Sequence, residues 1–108
     1  MKLSSSSRAR EAGQIRVDVR YEGRVQGVGF RFTAVSAAEG LAVSGWVANA
    51  PDGSVRLVAE GAEAEVQRLL HAIRTSSLGR HIQDERVRTE APRGDLGRFS
   101  VRARSDDG

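Results

Sequence analysis

Apolar and polar residues alternate near the start of the chain, with Ile15, Val17, Val19 and Tyr21 set against Arg16, Asp18 and Arg20. A period of two places the apolar set on one face of a half-buried strand. The spacing changes after the glycine-rich stretch Gly23 to Gly29: Phe30, Ala34, Ala37, Ala38 and Leu41 recur at helical intervals and predict a first helix. Ser44 to Ala50 then reads as a strand, Pro51-Asp52-Gly53 as a turn, and Ser54 to Glu60 as the returning strand with Val55, Leu57 and Ala59 on one face. Gly61 ends this hairpin. Val66, Leu69, Leu70 and Ile73 fall at i, i+3, i+4 and i+7, an apolar stripe that predicts a second helix over 62–74. Gln83 to Glu90 carries Val87 as its one bulky apolar residue among charges, the composition of an edge strand guarded against aggregation. Arg98 to Arg104, with Phe99, Val101 and Ala103 on one side, predicts a short last strand.

The order β-α-β-β-α-β plus a further strand is the split βαβ pattern. The fold expected is α+β: a ferredoxin-like βαββαβ sandwich, with an antiparallel sheet of four to five strands carrying two helices on one face. Phe30, Phe32, Trp46 and Phe99 read as core residues. Residues 1–13 are serine-rich without apolar periodicity and read as a disordered leader; 14–104 form the domain and 105–108 a frayed end.

A chain of 108 residues, 39% hydrophobic and 29% charged, supports one core and excludes a two-domain architecture. The longest uncharged run, Gly40 to Pro51, is far short of the roughly 18 apolar residues of a membrane helix. The N-terminus lacks the apolar centre of a secretory signal, so a cytoplasmic location is the expectation. Zero cysteines exclude disulfides, thiolate catalysis and cysteine-based metal sites. The formal net charge of +3 raises the question of a nucleic-acid partner. Lys2, Arg8 and Arg10 against Glu11 place most of that excess before residue 14, and the rest of the chain is nearly balanced. A domain that binds nucleic acid usually shows a strongly basic face, so charge argues against that function.

The segment Gly23 to Arg31 carries the candidate chemistry. A helix start leaves about four backbone N–H groups without partners, usually capped by Ser, Thr, Asp or Asn. None of these lies between Gly23 and Phe32, and no carboxylate lies between Gly23 and Ala38. Gly27 and Gly29 can take positive φ and turn successive N–H groups toward one point. An anion is the natural partner of such a nest, with Arg24 and Arg31 nearby; the alternative is a glycine-rich connection satisfied by water. The glycine spacing matches neither a dinucleotide-binding nor a Walker motif.

Gly23-Arg24-Val25-Gln26-Gly27-Val28-Gly29-Phe30-Arg31, followed by Gly45-Trp46-Val47-Ala48-Asn49 and Asp52-Gly53, closely resembles the acylphosphatase family. The resemblance runs from Ile15 to Ala103, through Ala38-x-x-Leu41 to the closing Phe99-Ser100-Val101. It implies a five-stranded ferredoxin-like sandwich and a loop, Arg24 to Phe30, that cradles a phosphate. It further implies that Arg31 binds the phosphate and Asn49 orients the attacking water. On residues alone, Asn49 also reads as a polar residue flanking a turn. The activity implied is hydrolysis of a carboxyl–phosphate anhydride, with positioning and charge stabilisation carrying the rate. Neither metal nor cofactor is implied. The partners expected are a small acyl phosphate and inorganic phosphate, with no nucleic acid and no membrane, and the protein is expected to be a monomer.

Two departures from the family pattern bear on geometry. Leu41-Ala42 stands where Leu-Gly is common, so either Ala42 holds a left-handed cap at about 1 kcal/mol, or Gly40 ends the helix a turn earlier. Ser76-Ser77-Leu78-Gly79-Arg80 replaces a Gly-Pro connection. His71 and His81 are not spaced with carboxylates as a metal site needs and read as structural. The serines have no nucleophile motif. Two other functions compete with this one. The first is an RNA-binding module, because Gly27 to Phe32 loosely matches an aromatic RNA motif, although it lies before the first helix instead of on the third strand. The second is a carbamoyl-phosphate-handling accessory domain of a larger protein, against which stand the short chain and the missing zinc-finger cysteines.

Overall fold

The computed structural model describes residues 13–104. The expected leader, Gly13 apart, and the expected frayed end lie outside the described residues. The strands are β1 (Gln14–Gly23), β2 (Val43–Asn49), β3 (Val55–Ala62), β4 (Ile82–Glu90) and β5 (Ser100–Val101). The helices are α1 (Phe30–Ala38) and α2 (Glu63–Thr75), and a 3₁₀ turn spans Ser77–His81. The sheet order is β4-β1-β3-β2-β5. From β4 to β2 each strand is antiparallel to its neighbour, but β5 runs parallel to β2. The sheet is therefore mixed, a correction to the antiparallel expectation that arises from how the last segment returns.

One sheet face and the two helices enclose the main core. Val17, Val19 and Tyr21 of β1 meet Val55, Leu57 and Ala59 of β3 there, with Val47 from β2, all fully buried. The predicted stripe of α2, Val66, Leu69, Leu70 and Ile73, closes the layer. Each such side chain contributes about 1.5–3 kcal/mol on leaving water, so packing holds this helix more than propensity does. From α1 come Phe30, Ala34 and Ala38. Phe32 is not among them: it is 77% exposed, because it follows Phe30 by two residues and so points away from the buried stripe.

Gly40 ends α1, at φ +82, and no non-glycine residue in the described chain has positive φ. The helix thus stops at Ala38 and Ala42 carries no left-handed strain. The Ser76–Arg80 connection folds as the 3₁₀ turn. The Ser76 hydroxyl oxygen accepts the Leu78 N–H at 3.1 Å, and Leu78 is buried.

The opposite sheet face is partly covered as well. Trp46 is buried as expected, but in a separate cluster on that face with Ala48 and Val58, against Leu96. The Arg102 guanidinium lies 4.2 Å from the Trp46 ring centroid and that of Arg56 at 5.4 Å. Alternation places Arg16 and Glu60 on this face too, yet they are only 8% and 6% exposed. Arg16 donates to Glu60 at 3.2 Å and to Asp95 at 2.8 Å. Glu60 also accepts the N–H groups of Arg93 (3.0 Å) and Gly94 (2.7 Å). Burial alone would raise the Glu60 pKa, but these N–H donors and the Arg16 guanidinium hold its carboxyl below the ordinary range. The segment after β4 is tied down this way as it crosses the sheet. The Gly45 N–H then bonds to the Gly97 carbonyl at 3.0 Å, and the chain arrives beside β2 as β5. Of the three residues expected on one side of that strand, Phe99 is buried, whereas Val101 and Ala103 are exposed; Val101 pairs with Val47 at the sheet edge, and Ala103 lies beyond the strand.

Candidate phosphoryl site

The chain leaves β1 at Gly23, and the Arg24 N–H bonds to the His81 carbonyl at 3.0 Å, which fixes the start of the glycine-rich loop. Val25 is fully buried beneath it. The Gln26 side chain then crosses to the β2–β3 hairpin, donating from Nε2 to the carbonyls of Ala50 (2.9 Å) and Ser54 (2.8 Å). The hairpin is itself braced: the Asp52 carboxylate accepts the Ser54 N–H at 2.9 Å and its hydroxyl at 2.6 Å, bonds that hold the Asp52 carboxyl below its ordinary pKa.

Gly27 and Gly29 both take left-handed conformations, at φ +78 and +79. A Cβ at either would meet open space, so the requirement for glycine here is the backbone angle. Gly29 is the N-cap of α1, with no side-chain cap and no acidic residue in the first turn. Its carbonyl accepts the Thr33 N–H at 3.0 Å, the first helical bond. Among the described residues, the N–H groups from Gln26 to Phe32 have no acceptor. Converging unpaired N–H dipoles at the positive end of a helix form an anion-binding concavity.

Asn49 closes β2. It pairs with Val55 and shares the helix-side face with Val47, two residues earlier, so its side chain faces the start of α1. A cleft of about 480 Å³ unites Gly27, Gly29, Arg31 and Asn49. Its remaining walls come from Val25 and Phe30 beneath, Phe32 and Val35 of α1, and Phe99 to Val101. Arg31 is the only charged residue lining it, and among the described residues it makes no ion pair. A dianion entering the cleft meets a guanidinium and amide donors but no carboxylate.

Of the residues singled out in sequence, Val25, Gly27, Gly29, Phe30, Arg31 and Asn49 are brought together in this cleft. Arg24, Gln26 and Val28 do not line it, and Gln26 instead ties the loop to the hairpin. The cleft-lining Phe99, Ser100 and Val101 escape sequence reasoning as parts of the site. The signal for them is Glu60 on the opposite sheet face, a carboxylate whose bonds to the Arg93 and Gly94 N–H groups tie down the segment that leads to β5. His71 and His81 do not line the cleft, and among the described residues no group of three or more His, Asp or Glu could hold a metal ion.

Known proteins are similar to this chain in sequence and in fold. The acylphosphatase family model matches residues 17–101. An acylphosphatase of Trichormus variabilis is 44% identical over 88 residues, covering 82% of this chain and 86% of its own. One of Syntrophotalea carbinolica is 40% identical, covering 82% and 96%. Among solved structures, acylphosphatase from Bacillus subtilis superposes with a TM-score of 0.73 at 33% identity, covering 81% of this chain and 97% of its own. Full-length HypF in its phosphate- and nucleotide-bound form reaches a TM-score of 0.75 over 13% of its length, at 24% identity, a likeness of fold. The match through nearly the whole described domain, loop and hairpin included, places the chain in the acylphosphatase family.

Proposed function

We propose that the protein is an acylphosphatase: it hydrolyses R–CO–O–PO₃²⁻ to a carboxylate and inorganic phosphate in the cleft at the start of α1. The observation that carries the reading is the meeting of an uncapped, carboxylate-free helix N-terminus with Arg31 and Asn49 in one cavity. Backbone N–H groups of the loop, from Gln26 to Phe30, receive two phosphoryl oxygens while the Arg31 guanidinium grips the phosphoryl group bidentately. Asn49 holds a water in line with the bond to be broken; its neutral amide avoids the repulsion that a carboxylate would exert. As the water oxygen bonds to phosphorus, the bond from phosphorus to the bridging oxygen breaks, and its electron pair leaves on the carboxylate. The water's proton passes to a phosphoryl oxygen, giving RCOO⁻ and H₂PO₄⁻. Because the leaving group is already stable, positioning and charge stabilisation suffice and no protein acid is needed.

The proposal needs no metal or cofactor. Its catalytic unit is 14–104, with residues 1–13 dispensable, in a monomeric cytoplasmic protein. It includes no nucleic-acid partner: RNA stacking needs neighbouring exposed aromatic faces, and Phe30 of the Gly27–Phe32 segment is buried. No helix of the described residues is long and apolar enough to cross a membrane. The test is release of phosphate from benzoyl phosphate by the purified protein in excess chelator. Turnover no faster than the uncatalysed rate would overturn the reading.

A further inference from the structure

The sheet face that the helices leave open carries a second cleft, of about 280 Å³, lined by Asp18 and Arg20 of β1, Arg56 of β3, and Arg86, Val87 and Arg88 of β4. Four guanidiniums share it with one carboxylate. Strand register explains the crowding: Arg20 pairs with Arg86 on one side and with Arg56 on the other, so three arginines form a single row across the sheet. Directly opposed residues lie about 5 Å apart, and like charges at that spacing destabilise a sheet. The neighbouring row sets Arg88 against Asp18.

The carboxylates that answer this charge stand mostly at its rim. Asp52 pairs with Arg20 at 3.2 Å, Asp84 and Glu22 with Arg86 at 2.8 and 3.8 Å, and Glu90 with Arg88 at 3.2 Å, yet none of these acids lines the cleft. Asp18 lies inside, shared between Arg56 at 2.6 Å and Arg88 at 3.4 Å. Burial alone would raise its pKa, but those guanidiniums hold the carboxyl below the ordinary range, a sign of positive potential within. The Arg20 and Arg56 side chains are 28% and 15% exposed and form the floor, whereas those of Arg86 and Arg88 are 71% and 72% exposed. Exposed ion pairs contribute little, so Arg86 and Arg88 can turn from their rim partners to a ligand at small cost.

We propose that this cleft is a second anion site, separate from the nest at α1, and that it takes a short linear polyphosphate. The shape of the charge selects the ligand. A row across three strands spans two interstrand spacings, about 10 Å in all, which a chain of phosphates can follow and a single phosphate cannot. The means of recognition also differs from that in the nest. Backbone N–H groups of β1 are engaged in the ladders to β3 and β4, so binding falls to guanidiniums, whose planar forks grip phosphate oxygens two at a time.

The test is a titration of the full chain with tripolyphosphate, followed by heteronuclear NMR so that the place of binding is read directly. Amide signals of Arg20, Arg56, Arg86 and Arg88 should shift saturably, and the affinity there should exceed that of inorganic phosphate at matched ionic strength by at least about tenfold. In the double variant Arg86→Gln/Arg88→Gln, which alters only exposed side chains and should fold, that affinity should fall about tenfold. Phosphate-induced shifts at Gly27 and Gly29 and turnover of benzoyl phosphate should keep their wild-type values in this variant. Tripolyphosphate shifts confined to the nest amides, or an unchanged affinity in the double variant, overturn the site and leave the hydrolytic reading standing. Binding of adenosine triphosphate or of decauridylate at the same amides, tighter than tripolyphosphate by tenfold or more, would make a nucleotide or a nucleic acid the occupant and overturn the assignment.

Discussion

The two helices of this domain begin in opposite ways. At α2 the Glu63 N–H bonds to the Gly13 carbonyl at 2.7 Å, and Glu63 and Glu65 lie in the first turn, where carboxylates offset the positive end of the helix dipole. At α1 the cap is a left-handed glycine, the first turn has no acid, and Arg31 stands where a carboxylate would help. Neither start has a side-chain cap, but the first has a backbone acceptor and two carboxylates of its own, and the second has neither. A helix terminus that forgoes about 1 kcal/mol of capping, and adds a cation besides, fits the anion site proposed for it.

The strongest test of that contrast is chemical. Asn49→Asp keeps shape at a half-buried strand end, yet it removes one amide donor and sets a carboxylate against a dianion. Turnover should fall by at least about 10²–10³, while the denaturation midpoint moves by less than about 0.5 kcal/mol in equivalent stability. Arg31→Lys should be similarly inactive and should also bind phosphate weakly, since an ammonium lacks the planar two-point grip. Steady-state kinetics alongside urea unfolding separate the two effects. Activity of Asn49→Asp within a few-fold of wild type would remove the water-orienting role.

Phosphate itself comes next. At a hundredfold excess over Kd it should stabilise the fold by about 2.7 kcal/mol, seen as a raised Tm at matched ionic strength. Phe32→Glu makes α1 resemble α2 by placing a carboxylate in its first turn. The ligand-free Tm should then rise, in step with a gain of about 0.3–1 kcal/mol, and the phosphate-induced shift should vanish. A shift that persisted in full would mean that the anion binds elsewhere.

Smaller effects belong to the supports. Gln26→Ala leaves the Ala50 and Ser54 carbonyls without their shared donor and should lower stability by about 1 kcal/mol. KM should rise several-fold as the loop loses its tie to the hairpin carrying Asn49. At the other helix, Glu63→Gln should cost about 0.3–1 kcal/mol at low salt and less at high salt. Turnover should stay unchanged, because that exposed terminus serves only the fold.

Local chemistry was enough for much of this. The alternation of β1, the stripe of α2 and the turn at Pro51-Asp52-Gly53 are short-range patterns, and each appears where the residues placed it. So is the nest: missing caps, missing carboxylates and paired glycines are properties of nine consecutive residues, and Gly27 and Gly29 take the positive φ that argument required. Long-range contact decided the rest. Phe32 reads as core because a phenylalanine in a helical segment usually is, but its exposure depends on which side of α1 the sheet occupies. The parallel course of β5 depends on a segment crossing the far face of the sheet, held by Glu60 and Arg16, which lie 44 residues apart in the chain. The cleft has the same origin. Its walls come from α1 and β5, more than 60 positions apart, and no periodicity within either segment encodes that they face each other.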